Sequence, residues 1–157
     1  MIMEDKEARI ARAVELFKSG FNCSQSVVAA FADMYGLTQE QALLVSASFG
    51  AGIGRMRETC GTASAIFLLA GLQYGTTDPK NATGKGENYR VVRELAERFK
   101  EVNGFLRCRD LLGLDKDKKE SYQPAERTAD YYAKRPCLRI IESAARIWAE
   151  YLEENLD

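Results

Sequence analysis

The chain reads as an all-α protein, a compact bundle of five to six main helices with a glycine-rich loop before the central helix. Three observations predict this. Apolar residues recur at helical spacing, alanine is frequent while prolines number only 3, and no stretch shows the period-two alternation of a strand. The length of 157 residues fits one domain, residues 1–157, and a hydrophobic content of 46% fills a core without cross-links.

The elements follow in order. Ile10, Val14 and Phe17 lie on one helical face, and Gly20 offers a stop. Asn22 with Gln25 three residues on has the form of a capping box, and Val27, Phe31 and Met34 form the stripe of the helix it opens, which Gly36 ends. Thr38 and Gln41 repeat the signal for a short third helix, Ala42 to Phe49. The stretch FGAGIGRMRETCG is too glycine-rich for a stable helix. CGTASAIFLLAGLQYG is apolar on all sides and too short to cross a bilayer, so it predicts a buried central helix. Within it Gly61 and Ala65 leave room for a close neighbour.

TTDPKNATGKGEN reads as a loop. Tyr89, Val92, Leu95 or Ala96, Phe99 and Val102 then mark an amphipathic helix ended by Gly104. CRDLL allows a turn or two before Gly113. Residues 115 to about 135, including the mixed-charge run Asp115 to Glu120, read as an irregular surface excursion. Pro136 suits the first turn of a last helix whose core stripe is Ile140, Ile141, Ala144, Ala145 and Trp148.

Charge and composition narrow the function. Lys plus Arg is 22 and Asp plus Glu is 23, so no global field draws in nucleic acid or an acidic membrane. The opening MIMEDKEARIARAVELF is neither a secretory signal nor a membrane span, and a cytoplasmic protein without membrane insertion is expected. The count of histidines is 0. That excludes Ser-His-Asp and Cys-His catalysis, His-ligated haem, a Rieske centre and imidazole zinc sites.

Chemistry therefore falls to Cys23, Cys60, Cys108 and Cys137. Each sits at the start of a predicted helix. Cys23 and Cys137 share the buried faces of Val27 and of Ile140 and Ile141. A helix start presents free N–H groups and the positive end of the dipole, which favours thiolate. Four such positions converging suit an anionic thiolate-ligated centre, and backbone amides of the Gly50–Gly54 loop are placed to donate to its sulfurs. No CxxC knuckle marks a zinc site, so any centre is assembled by the tertiary fold. Gly50, Gly52 and Gly54 follow no strand, so a dinucleotide fingerprint lacks its context and a closely packed turn is the competing reading. Arg55 and Arg57 read as solvated. Tyr131 and Tyr132 read either as a cover over the site or as local packing.

These segments resemble the redox-active C_GCAxxG_C_C family, helical proteins of about this size. FNCSQSV carries the first cysteine, GIGRMRETCG the second, CRDLLG the third and Pro136-Cys137-Leu138 the fourth. The chain departs from the motif at its closing glycine, where Ala65 stands, and no further cysteine precedes Cys60. The resemblance implies redox activity through an iron–sulfur cluster, [2Fe–2S] or [4Fe–4S], held by Cys23, Cys60, Cys108 and Cys137, with Gly52, Gly54 and Gly61 supporting it. It implies electron exchange with a redox partner protein. Two other readings stay open: a metal-free thiol–disulfide protein, for which three full pairings exist, and a helical homodimeric module built on the central helix and the Tyr89–Val102 stripe.

Overall fold

The structure is a computed structural model that describes residues 5–115 and 120–155. It is all-α. The helices are α1 (Lys6–Lys18), α2 (Cys23–Phe31), α3 (Gln39–Ser46), α4 (Gly61–Tyr74), α5 (Ala82–Asn103), α6 (Cys108–Leu111), α7 (Ala129–Lys134) and α8 (Cys137–Asn155). Six of them have eight or more residues, in line with the expected bundle. Among the described residues no helix is long and apolar enough to cross a membrane.

The apolar central segment becomes α4, which packs against α2, α5 and α8. Its residues Gly61 to Ile66, with Leu69 and Ala70, are buried. Helix α8 contributes Ile140, Ile141, Ala144, Ala145, Trp148 and Leu152 to the same core, at the three- and four-residue steps of one helical face. Helix α1 lies against α2 and α8 through Ile10, Ala13, Leu16 and Phe17. Both expected capping boxes form: Asn22 accepts from the Gln25 amide at 2.9 Å and Thr38 from the Gln41 amide at 3.1 Å. Each satisfies an amide that the helix itself leaves free.

Four local expectations are corrected. The stretch before Tyr89 is not a loop throughout, because α5 starts at Ala82, where Asn81 accepts from the Gly84 amide at 2.8 Å. That cap and a 22-residue helix anchored by Val91, Leu95 and Phe99 outweigh the glycine cost. The stripe expected on this helix is shifted: Tyr89 and Val102 are 63% and 62% exposed, since the helix outruns the core at both ends. The region from 120 to 135 contains α7, opened by Thr128 accepting from the Tyr131 amide at 3.2 Å; residues 116–119 of the expected charge run lie outside the described residues. The third helix ends at Ser46, and Ala47–Phe49 tightens into a 3-10 turn.

Candidate thiol site

Four helix starts deliver the cysteines. Cys23, Cys108 and Cys137 are the first residues of α2, α6 and α8, and Cys60 immediately precedes α4. All four line one cavity of about 370 Å³, together with Arg55, Arg57, Thr62, Arg127, Tyr131 and Arg135 among others. Among the described residues no Asp or Glu side chain lines it. Cys60 and Cys108 are buried, whereas Cys23 and Cys137 are half-buried. Among the described residues no three or more Cys, Asp and Glu side chains are grouped closely enough to hold a single metal ion.

A short antiparallel pairing, not foreseen from the sequence, fixes two of the thiols. Thr59 bridges Arg107, the Cys60 amide donates to the Leu106 carbonyl at 2.8 Å, and the Cys108 amide donates to the Glu58 carbonyl at 2.6 Å. In this register Thr59 and Arg107 face one way, so Cys60 and Cys108 both face the other. The Arg107–Glu58 ion pair at 3.1 Å closes the same bridge on the outside. At only a few residues a side, it is too short to leave a periodic signal in the sequence.

The glycine motif builds a left-handed turn. Ala51, Gly52, Ile53, Gly54 and Arg55 all have φ between 56° and 74°, and Arg57 returns to 61°. Glycine adopts this backbone without strain at 52 and 54, but each side-chain-bearing residue there costs on the order of 1–2 kcal/mol. Gly52 does not line the cavity; it lets the turn press on the second cysteine segment, where a Cβ would come within 2.6 Å of the Arg57 Cα and 2.7 Å of the Cys108 Cβ. Gly54 lines the cavity, but its amide donates to the Ser48 carbonyl at 2.9 Å and is not directed at a sulfur. Within this turn the amide that meets a thiol is that of Ala51, beside Cys23. Gly61 supports the site by its lack of a side chain, since the Cys23 sulfur occupies the space a Cβ would need.

Two expectations about charge are overturned. Arg55 and Arg57 are not solvated: Arg57 is 1% exposed, and its Nη1 donates to the Cys108 Sγ at 3.5 Å. Sequence offers no signal for this beyond basic residues close before a cysteine, because the left-handed turn that directs them inward has no distinct composition. Cys23, Cys60 and Cys137, in turn, are not poised as thiolates by their helix starts. Burial pushes Cys60 up to about 12 and Cys137 up to about 11, and it also raises Cys23. Desolvation of a buried sulfur exceeds the help of a helix terminus. Thr62 Oγ1 lies 3.2 Å from the Cys60 sulfur and is a further polar neighbour that sequence reasoning missed.

The two tyrosines divide the roles expected of them. Tyr131 lines the cavity, while Tyr132 packs edge-on against Phe17 at 6.1 Å and against Tyr131 at 5.3 Å. Over the same wall Arg127 donates to the Phe17 and Phe21 carbonyls and stacks 4.0 Å above the Phe17 ring.

No curated protein and no solved structure matches the chain. The model of the family described as "Putative redox-active protein (C_GCAxxG_C_C)" matches residues 21–151, which contain all four cysteines, the left-handed turn and the described cavity lining apart from Phe17. The chain belongs to the C_GCAxxG_C_C family.

Proposed function

We propose that this protein is an electron carrier whose Cys23, Cys60, Cys108 and Cys137 ligate an iron–sulfur cluster. The observation that carries the reading is the cavity itself: four thiols from four distant segments on one wall system that also holds four arginines, with Glu120 paired to two of them from behind the lining. A thiolate-ligated cluster is anionic, and such a lining is what an anion needs in a low-dielectric site.

The residues present fit the group. The donor set is four sulfurs without imidazole, and all four cysteines line one cavity. Four cysteine ligands suit a [2Fe–2S] or a [4Fe–4S] centre. Among the described residues the buried Arg57 has an Nη2 without a hydrogen-bond partner, so it retains a donor for an anion. When bound, the cluster would supply one-electron redox chemistry. The chain's own residues hold the sulfurs, line the cavity with the apolar surfaces of Tyr131 and Ile140, and place positive charge around them. With every cysteine engaged and no carboxylate or imidazole base among the described lining residues, electron exchange with a partner protein suits the site better than transformation of a substrate.

The test is anaerobic purification, followed by iron, sulfide and visible-absorption assays before and after reconstitution. The reading expects iron and sulfide in equal amounts and a visible chromophore, both lost in each Cys→Ser variant. A colourless protein that stays metal-free after reconstitution and loses thiols in pairs on mild oxidation would replace it with disulfide chemistry.

A further inference from the structure

Arg57 is fixed from several sides. Its φ of 61° is left-handed, its carbonyl accepts from the Arg109 amide at 3.2 Å, and Gly52 packs on its Cα. Its backbone is therefore held within the bridge that carries Cys108, and its side chain is buried beneath it. Of its three nitrogens, Nη1 reaches the Cys108 sulfur and Nη2 has no hydrogen-bond partner among the described residues. Nε stands 3.4 Å from Glu120 Oε1 without hydrogen-bond geometry. The other Glu120 oxygen accepts from Arg55 Nη2 at 3.4 Å. Burial works against the charge on Arg57, but Cys108 and Glu120 outweigh it and hold its pKa above the ordinary value. A buried cation met this loosely is costly unless an anion faces it.

We propose that Arg57 is the charge-compensating positioning residue of the thiolate centre, acting through Cys108, and that Glu120 opposes it. This rests on the reading of the four cysteines as cluster ligands. One-electron reduction, with the electron supplied by a donor protein, adds one negative charge beside Arg57. A buried cation favours that reduced form and a nearby carboxylate disfavours it. Removing the two charges therefore moves the potential in opposite directions, a signature that loosened packing does not produce.

The experiment compares wild type with Arg57→Gln, Arg57→Lys and Glu120→Gln. All are reconstituted anaerobically with iron and sulfide and titrated spectroelectrochemically. Arg57→Gln is expected to lower the reduced-to-oxidised ratio at fixed potential at least tenfold, which is about 59 mV for one electron. Arg57→Lys restores most of that shift, and Glu120→Gln moves the ratio the other way. Shifts of the same sign in Arg57→Gln and Glu120→Gln, or no shift in either, would overturn the assignment.

Iron content of the wild type judges the ligand reading separately. If wild type or Arg57→Gln holds no iron, the metal-free proteins decide by mass-spectrometric mapping of alkylation. The assignment expects Arg57→Gln to change the rate at Cys108 severalfold while Cys23 and Cys60 keep theirs. Uniform or absent changes would overturn it.

Discussion

Gly61 faces the sulfur of Cys23 with no space between them for a Cβ. The contact joins the start of α4 to the start of α2 and sets how closely two of the four thiol segments approach. A methyl group there must push against both the sulfur and the Phe49 carbonyl, which lies 2.9 Å from the same point. Gly61→Ala is expected to destabilise the protein by about 1–3 kcal/mol, the usual cost of overpacking. Gly71, ten residues along the same helix, has nothing within 4 Å of its Cβ position. Gly71→Ala should therefore stabilise by up to about 1 kcal/mol through helix propensity alone. Urea midpoints of the two variants should move in opposite directions; a common direction would refute the contact.

Arg127 latches the segment around residues 122–127 over the cavity. Its guanidinium forks to the carbonyls of Phe17 and Phe21 while lying 4.0 Å above the Phe17 ring. Hydrogen bonds from a charged donor are worth about 1.5–3 kcal/mol each. Arg127→Ala should raise amide exchange in residues 122–134 by tenfold or more, with a smaller change in α4 and α8. Arg127→Lys should not restore protection, because a lysine has neither the planar fork nor the stacking face. Hydrogen exchange read by mass spectrometry resolves these segments, and equal changes throughout the chain would remove the latch.

Asn22 does two jobs with one amide. Its Oδ1 caps α2 at the Gln25 amide, and its Nδ2 donates to the Ala47 carbonyl at 2.9 Å, tying the turn after α3 to the Cys23 helix. Asn22→Ala should cost about 1 kcal/mol or somewhat more. Asn22→Asp keeps the cap and loses only the second bond, so its melting temperature should fall between alanine and wild type. An aspartate variant as unstable as the alanine would assign the whole effect to the Ala47 contact.

The parts of this molecule legible in the sequence are those written in local chemistry. Asn22 with Gln25 and Thr38 with Gln41 announce their helices because the cap is made within four residues. The face of α8 is legible because burial repeats with the helical period, and α4 is legible because its sequence is apolar on all sides. Placement of cysteines at helix starts was readable for the same reason. What lay hidden depends on distant chain: the Thr59–Arg107 bridge, the burial of Arg57 against Cys108 and the rise in thiol pKa come from packing. The start of α5 was missed because Gly84 and Gly86 argue for a loop, while Asn81 and the long buried face beyond argue for a helix.

Burial of the thiols sets a pH dependence in the metal-free, reduced protein. Cys60 is pushed up to about 12 from an ordinary 9.0, chiefly by burial and then by Cys23 nearby. Cys137 is pushed up to about 11 by burial, with Cys23 and Cys108 adding to it and Arg135 and Arg57 opposing. Above pH 9 the unfolded chain releases these protons while the folded chain keeps them, so the folded state binds more protons. The stability they contribute is fully present below pH 9 and declines as pH rises through 11 and 12. Urea midpoints under reductant should thus hold steady from neutral pH to about 9 and fall by about pH 10.5. Iodoacetamide labelling of the folded protein at neutral pH should be slower at Cys60 than in the unfolded chain. Cys60→Ser should flatten the alkaline fall, because a serine has no proton to lose in that window; an unchanged slope would place the responsible group elsewhere.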